Sequence, residues 1–254
     1  MLLFCFYYLS KMIKYFLILF IVAQYSCKQT PKQVATGVIK KDSLKTVAVI
    51  TKKKDTLKEA RKHYTQKEIT NFKDDTFIVL KKLDSTFFYN MKYATADNFL
   101  KEKVYDCANC LVRYETAKKL IKANADFKKI GFRIQFFDCY RPLAIQKKMW
   151  KIFPDKRYVA NPSKGSNHNR GTAVDITLVD SLGVALPMGT KFDFFGRKAH
   201  HAYQNLPKEV LINRKLLKTT MIKNGFWAIT SEWWHYNLNK SQRYAVSNFK
   251  TKCE

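Results

Sequence analysis

The stretch TAVDITL, Thr172 to Leu178, alternates like a strand but carries a carboxylate at its centre. Val174, Ile176 and Leu178 point to one face, and Ala173, Asp175 and Thr177 to the other. An aspartate in so apolar a strand is costly to bury unless a partner or a metal offsets its lost hydration. Any fold for this chain must therefore bring such a partner to Asp175. Its small face-mates, Ala173 and Thr177, leave room for one.

The segments around this strand switch repeatedly between helical and extended patterns. RYETAKKLIKANADFKK places Ala117, Leu120, Ile121 and Ala125 at helical spacing, and Gly131 ends that element. FRIQFFD then alternates Phe132, Ile134 and Phe136 against Arg133 and Gln135, a strand signal. Pro142 suits the first turn of a helix in RPLAIQKKMWKIF. A second helix, roughly 207–224, turns Val210, Leu211, Leu217 and Met221 inward, with Gly225 as its C-terminal stop. GFWAITSEWWHYNL closes with aromatic strand material. No repeat is visible, no Gly-rich phosphate loop opens a helix, and strands and helices partly segregate. The expected class is α+β.

The first residues set the compartment. MIKYFLILFIVAQYSC, from Met12, has a short basic start, an apolar run and a small residue before Cys27. This reads as a secretory signal over residues 1–27, with Met12 the more natural start, and is too short to span a bilayer comfortably. A signal ending at cysteine is of the lipoprotein type, with Cys27 lipidated and holding the protein to a membrane; a plain cleaved signal is the alternative. Residues 28–75 are polar and lysine-rich with weak periodicity, expected as a flexible tether before a domain over 76–254. The protein is thus expected to be exported, periplasmic or membrane-anchored. In that setting Cys107, Cys110, Cys139 and Cys253 are expected to be structural, and three pairings are open.

The formal net charge is +27, from 47 Lys+Arg against 20 Asp+Glu. The lysines are spread along the whole sequence, with no basic helical stripe and no aromatic ladder interleaved with arginine. Nucleic acid is not an expected partner. An anionic cell envelope is a better match for such a surface.

Five histidines occur. His63 falls in the tether. His168 sits in the loop SNHNRG just before the Asp175 strand, and His235 follows Glu232 in EWWH. Taken singly, each pair could be a structural hydrogen bond or the polar edge of an aromatic core. Taken together, His168, Asp175 and His235 make two imidazoles and one carboxylate, the ligand set of a catalytic zinc with one position open. Glu232 would then move the proton, and Arg141, in DCYRP at a strand–helix junction, would meet the developing oxyanion.

Ser166-x-His168-x-x-Gly171-x-Ala173-x-Asp175 followed by Glu232-Trp233-Trp234-His235 resembles the D-alanyl-D-alanine dipeptidases, the VanX family of zinc metallopeptidases. The likeness continues through YATADNF (Tyr93 to Phe99), DCYRP (Asp138 to Pro142) and PMGTKFDF (Pro187 to Phe194), and spans roughly residues 75–240. It implies a small antiparallel sheet with flanking helices, a fold shared with the hedgehog signalling domain. It also implies one Zn2+ per chain on His168, Asp175 and His235, Glu232 as general acid/base, and Arg141 on the tetrahedral intermediate. Ser166, Tyr93, Tyr105 and Asp193 would surround a small D,D-dipeptide, with Asp193 the counter-ion of its free ammonium. His200 and His201 recur at matching positions and are expected to be structural. A D,D-carboxypeptidase or other stem peptidase is the rival activity, and a non-catalytic zinc-bearing wall-binding module the rival class. Two departures stand out: the family's glycine before Tyr-Arg-Pro is Cys139 here, and family members are often cytoplasmic.

Overall fold

The computed structural model of the chain describes residues 63–250 and Cys253. The expected signal peptide, Cys27 and the tether up to residue 62 lie outside the described residues. In chain order the elements are α1 (Gln66–Asn71), β1 (Phe77–Val79), α2 (Leu80–Leu83), β2 (Phe88–Tyr89), β3 (Leu111–Arg113), α3 (Tyr114–Lys128), β4 (Arg133–Asp138), α4 (Leu143–Ile152), β5 (Ala173–Val179), α5 (Lys208–Lys223), β6 (Phe226–Ala228) and β7 (His235–Leu238). A five-stranded sheet runs β2-β4-β5-β7-β6, antiparallel except for the short β2–β4 pair, and β1 pairs antiparallel with β3 in a separate two-stranded sheet. The α+β expectation holds.

The end of the expected tether is corrected, because residues 63–75 already carry structure. Thr65 caps α1 in a reciprocal box: its hydroxyl accepts from the Glu68 amide, and the Glu68 carboxylate accepts from the Thr65 amide at 2.7 Å. Tyr64 and Phe72 flank the helix and pack on the main core, and the Tyr64 hydroxyl accepts from the Val79 amide at 2.8 Å. Two aromatic anchors and a cap order a segment whose own periodicity is weak.

β5 is the centre of the sheet and all seven of its residues are buried. Its alternation therefore separates two covered faces. Val174, Ile176 and Leu178 join Leu120, Phe127, Phe136, Leu217 and Tyr236 in the main core, while Asp175 faces the other way. α3 and α5 pack on each other, and α3 also packs on β4. On α3 the buried stripe is Thr116, Ala117, Leu120, Ala123, Asn124 and Phe127. Ala125 is exposed, contrary to expectation, because Ala123 and Phe127 keep the 3.6-residue stripe on the core and Ala125 falls off it. Buried Asn124 is satisfied across the layer, accepting from the Ile134 amide and donating to Thr86, both at 3.0 Å. Past α5, Gly225 takes φ +91°, a left-handed turn that glycine adopts without Cβ strain and that feeds β6.

The sheet register prepares the site. Asp138 pairs with Asp175, and Asp175 with His235, so three polar side chains lie in one row across β4, β5 and β7. The β4–β5 ladder shifts register between Phe136 and Asp138, which is where this row begins. Cys110 is joined to Cys139 and Cys107 to Cys253, settling the pairing that the sequence left open.

Candidate metal centre and active site

His168 reaches the row from a short 3-10 turn, His168–Arg170, that closes through Gly171 in the left-handed region at φ +73°. The turn is pinned on both sides: the Ser166 hydroxyl accepts from the His168 amide at 3.1 Å, and the His168 carbonyl accepts from the Arg141 amide at 3.1 Å. His168 Nε2 then lies 3.3 Å from Asp175 Oδ2 and 3.2 Å from His235 Nδ1, and His235 Nδ1 lies 3.0 Å from Asp175 Oδ1. The three ligand atoms fall within 4.8 Å of one another.

The outward nitrogens fix the chemistry of this cluster. His168 Nδ1–H donates to the Cys139 carbonyl at 2.7 Å, and His235 Nε2–H donates to the Asn237 amide oxygen at 2.9 Å. That oxygen also accepts from Asn167 Nδ2 at 2.9 Å, which fixes its orientation. With the outer nitrogens donating, deprotonated inner nitrogens would point bare lone pairs at each other and at a carboxylate. A divalent cation satisfies all three at once, and the hydrogen-bonded outer nitrogens are the usual support of a metal-bound histidine. The donor set fits zinc. Burial works to raise the pKa of Asp175, but His168 and then His235 hold it well below the usual carboxylate range.

The rest of the site lines one cavity of about 470 Å³, which takes in Tyr93, Arg141, Ser166, Asp193, Glu232 and all three ligands. Glu232 Oε2 stands 4.0 Å from His235 Nδ1. Burial pushes the Glu232 pKa up, and nearby Asp175 adds to that against the opposing pull of His235. Arg141 is almost wholly buried and held as a fork. Its Nε and Nη2 donate to Asp138 Oδ2 at 3.2 and 2.5 Å, its Nη1 donates to Gln146 at 3.0 Å, and its plane sits 5.2 Å from the Tyr93 ring centre. The Tyr93 hydroxyl donates to both Asp193 oxygens at 3.0 and 3.2 Å. Burial, and then the charge of Asp175, push the Asp193 pKa well up.

Of the nine site residues expected from sequence, eight line this cavity and Tyr105 does not. Tyr105 is buried behind it, and its hydroxyl donates to Asp138 Oδ1 at 2.7 Å. It supports the carboxylate that clamps Arg141. His200 and His201 also stay out of the cavity. His201 is half-buried, and burial, followed by Lys218 and Arg214, takes its pKa down to about 4.

Sequence reasoning missed Asp138, Gln146 and Asn237. Asp138 carried a signal like that of Asp175, a carboxylate in an apolar strand, here at the strand's end. Gln146 lies on the buried side of α4 and Asn237 two residues after a ligand, but neither residue type stands out without the fold.

The chain matches the family model described as D-ala-D-ala dipeptidase over residues 73–252. It is 36% identical to the D-alanyl-D-alanine dipeptidase of Escherichia coli K12 over 163 residues, 64% of this chain and 84% of that protein. It is 34% identical to the enzyme of the same name from Enterococcus faecium over 185 residues, covering 63% of this chain and 90% of the relative. A solved structure of VanYB in complex with D-alanine-D-alanine is only remotely alike, with a TM-score of 0.35 and 14% identity over 53% of this chain and 75% of that one. The family match spans the three ligands, Glu232 and Arg141, and the chain belongs to the D-Ala-D-Ala dipeptidase family.

Proposed function

We propose that the protein is a zinc metallopeptidase that hydrolyses D-alanyl-D-alanine or a closely similar small D,D-dipeptide in cell-wall turnover. The observation that carries this reading is the convergence of His168, Asp175 and His235 in a cavity that also holds Glu232 and Arg141. A pure binding module has no use for a proton shuttle and an oxyanion cation beside its metal. His168 Nε2, Asp175 and His235 Nδ1 would hold the zinc, which supplies Lewis acidity and makes water acidic enough to be deprotonated near neutral pH.

The chain's own groups account for the remaining work. Glu232 accepts the proton of the attacking water and passes it to the leaving amine, a role that its raised pKa suits. Arg141 brings a fixed positive charge that needs no reorganisation, since Asp138 and Gln146 already orient it. A buried Asp193 carboxylate is unfavourable alone, and an α-ammonium is the partner that makes it favourable. Tyr93 aims that carboxylate. A free amino terminus is the feature that separates a dipeptide from a long stem.

The expected export signal and the lipid on Cys27 belong to the same reading, supported by two disulfides in the domain, which persist in oxidising compartments. Acting there, the enzyme would clear dipeptide released from the wall. Zinc-loaded protein should cleave free D-Ala-D-Ala and discriminate against an acylated pentapeptide stem; preference for the stem would make it a D,D-carboxypeptidase. Cys27→Ser should move the protein out of the membrane fraction, and an unchanged distribution would remove the anchor.

A further inference from the structure

Two features of the active site depend on the backbone just beyond the last paired residue of β4. β4 ends at Asp138, and the ladder to β5 has already shifted register between Phe136 and Asp138. Immediately beyond, the Cys139 carbonyl accepts the Nδ1–H of His168 at 2.7 Å, which leaves Nε2 as the atom facing Asp175. The Cys139 amide donates to Asp138 Oδ1 at 2.9 Å, on the carboxylate whose other oxygen clamps Arg141. The position of one residue's backbone thus sets a ligand's tautomer and the aim of the arginine's counter-ion. Strand pairing does not fix it.

The structure assigns that task to the Cys110–Cys139 disulfide, which acts as a positioning element of the metal centre. Its sulfurs bridge a Cα–Cα distance of 5.3 Å, and Cys139 is wholly buried. Cys110 leads into β3 of the separate two-stranded sheet, and its carbonyl accepts from the Leu80 amide at 2.9 Å. The neighbouring Tyr140 amide donates to the Leu111 carbonyl at 2.9 Å. One covalent link and one hydrogen bond therefore fasten the 138–141 segment to the small sheet, while the Arg141 amide fastens it to the His168 turn. Neither half of the second disulfide, Cys107–Cys253, lines the cavity.

This inference rests on the zinc reading, so the wild type's zinc content and affinity are measured first; a wild type that binds no zinc would end that reading. The test then compares C110S/C139S with C107S/C253S as control. Zinc affinity is read by competition with a chromophoric chelator, alongside melting temperature, kcat and KM for D-Ala-D-Ala. Outer-shell partners of metal ligands typically carry 10- to 100-fold in affinity or activity, so C110S/C139S should weaken zinc by about that factor and lower kcat more than it raises KM. C107S/C253S should bind zinc as the wild type does, even where its melting temperature falls equally. Equal zinc affinity in both variants would overturn the proposal.

Should C110S/C139S fail to fold, the zinc-loaded C107S/C253S protein is titrated with a phosphine reductant, following zinc release, thiol alkylation and circular dichroism together. Zinc loss with retained secondary structure supports the positioning role. Zinc loss only together with unfolding reduces the bond to a staple, and retention of zinc after alkylation of both thiols rejects it.

Discussion

Glu232 and Tyr105 were both expected at the site, and the fold gives them different places. Glu232 faces the cavity beside His235, with its pKa raised first by burial. Glu232→Gln should keep one zinc per chain and lower kcat by about 10²–10⁴-fold, the usual worth of a general acid/base. Because the base form must accept a proton, kcat/KM of the wild type should climb with pH through a value above the ordinary glutamate range, and the Gln variant should lose that limb. Retained turnover in Glu232→Gln would remove it from the mechanism. Tyr105 is different, since its hydroxyl reaches Asp138 and stops there. Tyr105→Phe should lower kcat modestly with KM within about twofold, because it loosens Arg141 without touching substrate; a large rise in KM alone would return Tyr105 to the binding surface. Glu232 was legible in the EWWH motif, whereas Tyr105 was named only through the family resemblance. Only the fold separates the face that Glu232 lines from the wall that Tyr105 stands behind.

At the level of elements, periodicity told more about the core than about the site. It located β4, β5, α3 and α5 because each has an apolar stripe that must be buried. It did not reveal that β5 is covered on both faces, nor that Asp138, Asp175 and His235 share a row, since register is a property of pairs of strands. α1 was missed because its order comes from a cap and from Tyr64 and Phe72, both outside the helix. This division of labour is testable on α3. Leu120 is completely buried in the apolar core and does not line the cavity. Leu120→Ala should cost about 2–5 kcal/mol in denaturant unfolding while zinc stoichiometry and KM stay unchanged. Loss of zinc in a folded Leu120→Ala protein would show that core and site are one cooperative unit.

For the molecule as a whole, metal, proton and stability are linked through the same three side chains. Without metal, burial alone would lower the pKa of His235, but its hydrogen bond to Asp175 and the charges of Asp175 and Glu232 outweigh that and raise it above the ordinary histidine value. The metal-free site therefore tends to keep a proton where the cation should sit, and zinc must displace it. At a free zinc concentration one hundred times its dissociation constant, binding adds about 2.7 kcal/mol to stability. For a domain of this size that corresponds to roughly 5–10 °C in melting temperature. The sign with pH follows from the competition: as pH falls through the raised His235 value, protons win the site, zinc affinity drops and the gap between loaded and chelated protein closes. Melting curves at fixed zinc with and without chelator, taken from pH 8 to pH 5, should show the two converging at the acid end. His235→Ala should abolish the gap at every pH. A gap that is constant with pH, or one that widens on acidification, would mean that the stabilising ion is not held by these imidazoles.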